Sequence, residues 1–91
     1  GDGFGYDVLS YFPSGEKKYI EVKSSSTNFS SGFIMTHNEV EFCKQNLEVS
    51  YIYCVTIPFI SISKSIQTIR SQDLFRMKKF TPTKYTVTYR I

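Results

Sequence analysis

Asp7, Glu21 and Lys23 are the residues whose types and spacing offer chemistry. The segments Tyr6–Phe12 and Lys17–Lys23 read as two strands, separated by Pro13-Ser14-Gly15. Pro presets the first helical-region φ of a turn, and Gly supplies the left-handed residue that closes a three-residue hairpin loop. Such a loop sets Phe12 opposite Glu16 and therefore Asp7 opposite Glu21. Opposed residues share a sheet face, as do residues two apart on one strand, so Lys23 joins the two carboxylates. A two- or four-residue loop would separate Asp7 from Glu21. Directly opposed carboxylates repel one another, and a divalent cation between them would relieve the repulsion. Mg²⁺ takes oxygen ligands, keeps several waters and needs only one or two carboxylates besides substrate phosphate. An amine at the same spot can stabilise charge on a transferring phosphoryl group or orient the attacking water. The ordinary alternative is a solvated strand face on which Lys23 neutralises Glu21, since Asp, Glu and Lys are common on strand surfaces.

The remaining elements must hold these residues in place. Ser24 to Ser31 is serine-rich and reads as an exposed loop. Gly32–Met35 reads as a short apolar strand. Thr36-His37-Asn38-Glu39 fits a capping box, in which the Thr36 hydroxyl and the Glu39 carboxylate each satisfy an amide at a helix start. Val40, Cys43 and Leu47 then form one apolar helical face, with the helix ending near Asn46. The capping box accounts for Glu39, although its position after the Thr36 turn could also bring it near the site. His37, the sole histidine, falls in the first helical turn and reads as an exposed or capping residue. Ser50–Ile57 is apolar on both faces, as a central strand is, and Pro58 stops it. Ser65–Arg70 reads as a strand, Gln72–Met77 as a helical turn and Tyr85–Ile91 as a final alternating strand. The order β-β-β-α-β followed by mixed structure predicts an α+β (mixed α/β) fold.

Ninety-one residues make one domain, here 1–91, with no room for a second lobe. Hydrophobic residues at 41% and charged residues at 21% exclude a disordered chain. No run of about 18 apolar residues is present. An aromatic share of 16% without Trp favours strands. The net charge of +3 permits an acidic partner without requiring one. Lys17, Lys18, Arg70, Arg76, Lys78, Lys79, Lys84 and Arg90 are either a solvated surface or a basic patch that tracks a phosphate backbone. Tyr51, Tyr53, Phe59, Phe75 and Phe80 read as core rather than as platforms for base stacking. Cys43 and Cys54 lack metal-ligand spacing and read as buried free thiols, which places the chain inside a cell, cytoplasmic or nuclear.

Asp7 followed by Glu21-Val22-Lys23 resembles the D…(D/E)-x-K signature of the PD-(D/E)XK nuclease superfamily. Gly3-Phe4-Gly5-Tyr6-Asp7-Val8, Tyr19-Ile20-Glu21-Val22-Lys23, Phe33-Ile34-Met35-Thr36-His37-Asn38-Glu39 and Ser50-Tyr51-Ile52-Tyr53-Cys54-Val55 widen that likeness. Over about residues 1–57 the chain resembles the NO VEIN-type C-terminal domain, a nuclease-like module similar to Mrr-type restriction endonucleases. The resemblance implies a restriction-endonuclease-like core of order αβββαβ, a mixed sheet with flanking helices, whose first helix and strand would precede Gly1. It implies Mg²⁺ or Mn²⁺ held by Asp7 and Glu21 with the Val22 carbonyl, and Lys23 assisting the attacking water. The expected partner is nucleic acid, DNA foremost, and the expected reaction is metal-dependent phosphodiester hydrolysis within a larger defence or nucleic-acid-processing protein. A non-catalytic binding or assembly module that retains the fold stands as the alternative. Without the preceding elements the domain would self-associate or lean on another chain, with Val8, Ile20, Val22, Ile52 and Val55 seeking cover.

Overall fold

The computed structural model describes residues 4–29, 32–59 and 65–77. Strand β1 (Val8–Tyr11) and strand β2 (Lys17–Ser25) form the first hairpin, with Val8 opposite Ile20 and Tyr11 opposite Lys17. Its turn is the three-residue loop that the Pro-Ser-Gly triplet predicts. The Phe12 N–H donates to the Glu16 carbonyl at 2.9 Å, and Gly15 takes a φ of +92°. Helix α1 (His37–Gln45) then crosses over to β3 (Ser50–Thr56), which runs parallel to β2. Strand β4 (Ser65–Arg70) returns antiparallel to β3 and leads directly into helix α2 (Ser71–Met77). The sheet order β1-β2-β3-β4 is mixed, and the fold is α+β.

The register puts Glu21, Ile52 and Ile69 in one row across the sheet, on the face the helices cover. Ile52, Cys54 and Ile69 of that face pack with Cys43 of α1 and Leu74 of α2, and Phe29, Phe33, Met35 and Phe75 close the margin. Ile52 is fully enclosed, and burying such a side chain stabilises a fold by about 1.5–3 kcal/mol. Buried Ser50 and Ser71 join the start of β3 to the start of α2 through a 2.6 Å hydroxyl pair. Both cysteines are buried free thiols, as expected. Burial pushes the Cys43 thiol pKa up, which keeps it in the unreactive form.

Several expectations need correction. Residues 32–36 are not a strand; they approach the helix without regular pairing. The buried face of α1 carries Glu39 and Cys43 rather than a Val40–Cys43–Leu47 stripe. Leu47 follows the helix and is 39% exposed, because Asn46 ends α1 before the turn that carries it. Ile52 belongs to the core and seeks no cover, whereas Val8 and Val22 stand exposed on the other face of the sheet. Tyr51 and Tyr53 are half-buried on that other face, not in the core. There the Lys18 Nζ lies 4.7 Å from the Tyr51 ring centre and 5.6 Å from that of Tyr53. Phe59 is 91% exposed. The expected strand Tyr85–Ile91, Phe80 and the basic residues from Lys78 onward lie outside the described residues.

Candidate functional site

Regular pairing in the hairpin ends at Val8 opposite Ile20. The Asp7 N–H donates to that same Ile20 carbonyl at 2.9 Å, one residue out of step, so Asp7 sits at the end of the ladder as a bulge residue and not as a regular cross-strand partner of Glu21. Tyr19 donates its N–H to the Val49 carbonyl, and the Ser25 carbonyl accepts from Ile57. The odd residues of β2 therefore bond to β3. Alternation along a strand turns the N–H and C=O of Val22 the other way, toward the β1 edge. At that edge the Asp7 Oδ2 accepts the Val22 N–H at 2.8 Å. The Val22 carbonyl faces the same edge as the Asp7 carboxylate.

Lys23 extends over the helix-covered face. Its Nζ lies 3.5 Å from the Glu21 Oε2 and 3.0 Å from the Glu39 Oε1. Glu39 is also the acid of the capping box. Its Oε1 accepts the Thr36 N–H at 2.9 Å, and its own N–H donates to the Thr36 Oγ1 at 3.1 Å. Glu21 and Glu39 are 5% and 6% exposed, an unusual depth for two carboxyls. The cluster is thus two buried acids and one half-buried amine, with Asp7 at the outer edge.

These surroundings separate the acids. Burial, followed by the hydrogen bond and charge of Glu39 and the charge of Asp7, pushes Glu21 up to about 7 against the pull of Lys23. Protonating Glu21 supplies the proton through which the two carboxyls can hydrogen bond. Burial also works against ionised Glu39, but the Thr36 N–H and the Lys23 ammonium outweigh it and hold its carboxyl below the ordinary value. Asp7 is likewise held low: hydrogen bonds, the Val22 N–H among them, overcome its slight desolvation.

The donor set fits a Mg²⁺ ion. The Glu21 Oε1 is buried with no hydrogen-bond partner among the described residues, and an oxygen in that state normally has a ligand or a structural reason. No group of three or more His, Cys, Asp or Glu side chains among the described residues is disposed to hold a metal. Mg²⁺ needs no such group, since it takes one or two carboxylates and fills the remaining positions with water and phosphate. Asp7, Glu21 and the Val22 carbonyl are the residues that would hold it.

An open groove of about 500 Å³ adjoins the cluster at Lys23, lined also by Ser24, Ser25, Asn28, Phe29 and Phe33. The groove lies past the carboxyl end of the parallel pair β2–β3, where ligands of open sheets commonly bind.

Gly5 fixes the approach to Asp7. Its φ is +81°, and a Cβ built on it would sit 2.6 Å from the Phe42 Cβ and 3.2 Å from the Asn38 carbonyl oxygen. The loop before β1 therefore lies directly on α1. Tyr6 reinforces the contact, its ring centre 4.9 Å from Tyr19 and 5.2 Å from Phe42. Gly5→Ala should destabilise the domain by about 1–3 kcal/mol, from the left-handed backbone and the clash together. It should also loosen Asp7 from the Val22 amide. Chemical denaturation checks the first effect, and amide exchange at Val22 checks the second.

The structure brings Asp7, Glu21, Val22 and Lys23 together at the open end of the hairpin, with Asp7 at the β1 edge on the Val22 amide and not in the regular place opposite Glu21 that the turn chemistry predicts. His37 is exposed at the helix start. The full part taken by Glu39 was not legible from its capping role, although a carboxylate in the first turn of a crossover helix does sit over the strand that precedes it. The result is an α+β domain whose mixed sheet presents a carboxylate–amine cluster beside a groove. Residues 1–69 match the family described as Protein NO VEIN, C-terminal, and the chain belongs to that family. The comparisons with curated proteins and with solved structures gave no match. Among the described residues, no helix is long and apolar enough to cross a membrane.

Proposed function

We propose that this domain binds nucleic acid and hydrolyses its phosphodiester bonds with Mg²⁺, as a PD-(D/E)XK-type, Mrr-like nuclease module of a larger defence or nucleic-acid-processing protein. The observation that carries the reading is the convergence of Asp7, Glu21 and Lys23 at the open end of the β1–β2 hairpin, with the Glu21 Oε1 buried and without a hydrogen-bond partner among the described residues. When bound, Mg²⁺ supplies Lewis acidity toward the phosphate and the attacking water. In the reaction the water oxygen bonds to phosphorus and gives up a proton, the P–O bond to the departing sugar oxygen breaks, and that oxygen takes up a proton, so one proton is released and one is consumed. Negative charge grows on the phosphoryl oxygens as this happens. Lys23 would stabilise that charge, since the residue forms part of the groove that a phosphate would enter. Asp7 and Glu21 bind and orient, and the Val22 amide keeps the Asp7 carboxylate turned to the edge.

The second reading is a binding or assembly module without catalysis. It draws support from Lys23, whose amine is engaged by two carboxylates. Incubating the full chain with labelled single- and double-stranded DNA and RNA, with Mg²⁺ or Mn²⁺, decides between the two. The nuclease reading expects cleavage that chelation abolishes and that Glu21→Gln removes. Retained nucleic-acid binding with no cleavage under any divalent ion would leave the binding module.

A further inference from the structure

We propose that Glu39 is a positioning residue for this site: its carboxylate holds the Lys23 ammonium beside Glu21 and ties it to the start of α1. The inference rests on the phosphodiester-cleaving reading and adds a third acid to it. A single oxygen, the Glu39 Oε1, accepts both the Thr36 N–H at 2.9 Å and the Lys23 Nζ at 3.0 Å. Two donors on one atom, one of them a backbone amide, fix that oxygen in space. A lysine amine is a compact charge on a flexible four-carbon stem, and it does not hold one position unaided. Glu39 is closer to the amine than Glu21 is, by 3.0 Å against 3.5 Å. It therefore takes the larger share of the ion pair and leaves Glu21 available to a second cation. Without Glu39 the amine would close on Glu21, the one carboxylate in the cluster with a buried unpartnered oxygen, and compete for it. Glu39 itself remains behind Lys23 and touches no substrate.

The competing account is that Glu39 only caps the helix. Thr36→Ala separates the two roles, because it deletes the hydroxyl that accepts the Glu39 N–H and leaves the Glu39–Lys23 pair in place. Thr36→Ala should lower the melting temperature, since it removes half of the capping box, whereas Glu39→Gln keeps the box, because a Gln oxygen at that position still accepts the Thr36 N–H. Only Glu39→Gln should lower kcat, by about 10–100-fold with KM little changed, the usual size for loss of an orienting partner. Nitrogen-15 NMR of the lysine ammonium groups in the metal-free full chain gives a reading independent of turnover. A slowly exchanging Lys23 signal should be present in the unmutated protein and in Thr36→Ala, and lost in Glu39→Gln. Equal losses of kcat in the two variants, or a Lys23 signal that survives Glu39→Gln, would overturn the proposal. Absence of cleavage by the unmutated protein would instead remove the nuclease reading and with it the catalytic role, while the ammonium signal still decides whether Glu39 holds Lys23.

Discussion

Glu21→Gln should stabilise the domain at pH 8 while abolishing its response to Mg²⁺. The folded protein holds the Glu21 carboxyl at about 7 against an ordinary value of 4.5. Between those values the folded state binds more protons than the unfolded state. Its stability therefore falls as pH rises through the window, and the contribution present below 4.5 is lost above about 7. Glu39 does the reverse. Its lowered carboxyl adds stability above 4.5 that disappears as pH falls through the folded value. A Gln at position 21 carries no charge, can donate its amide to the Glu39 carboxylate, and mimics the protonated acid at every pH. The gain at pH 8 should be about 1–3 kcal/mol, the size of a buried unsatisfied polar group removed, and the loss of stability from pH 5 to pH 8 should flatten. Each kcal/mol moves the melting temperature of so small a domain by roughly 4–8 °C. Mg²⁺ at ten times its Kd should stabilise the unmutated protein by about 1.4 kcal/mol and the variant not at all. Thermal melts from pH 5 to 8, with and without Mg²⁺, test both halves. A variant less stable than the unmutated protein at pH 8 would show that Glu21 is not under electrostatic strain.

That tension between stability and chemistry also explains which parts of the molecule could be read from its sequence. The hairpin register was legible because Pro13 and Gly15 favour a three-residue loop, and that loop pairs Tyr11 with Lys17 and Val8 with Ile20; Asp7 falls just beyond the regular pairing. The start of α1 was legible for the same local reason, a Thr and a Glu three apart. β3 could be recognised by its apolar character on both faces. What could not be read were features set by residues far apart. Residues 32–36 have strand-like composition, but they lead into a helix and find no partner strand. Leu47 has the right spacing for the helix face, yet Asn46 ends the helix first. Tyr51 and Tyr53 look like core residues, but the parity of β3 sends Ile52 and Cys54 toward the helices and the tyrosines to the opposite face. The second bond of Glu39 depends on the crossover from β2 through α1 to β3, which local spacing does not reveal. Local rules thus set the hairpin turn and the helix start, and the tertiary crossover is what brings the Glu39 carboxylate onto Lys23.

Lys23→Ala should lower turnover by on the order of 10²–10³ while leaving nucleic-acid affinity nearly unchanged, the size of effect produced by removing one donor aimed at transition-state charge. The distinction follows from where the amine's charge is used. In the resting site Lys23 is already paired with Glu39 and Glu21, so an approaching phosphate gains little ground-state attraction from it. Only when the phosphoryl oxygens take on further charge does the ammonium act with full effect, and such interactions appear in kcat rather than KM. Removing it also leaves two buried carboxyls without their shared cation. The Glu21 pKa should therefore rise further, since Lys23 is the one neighbour that lowers it, and Mg²⁺ binding at neutral pH should need a higher pH to develop. Raising the pH from 7 to 9 should thus recover metal binding in Lys23→Ala without restoring its turnover. Isothermal titration with Mg²⁺ and single-turnover cleavage at the two pH values separate the effects. A turnover restored along with the metal would mean that Lys23 serves only to tune Glu21, and an affinity for nucleic acid that falls as far as the rate does would make it a binding residue.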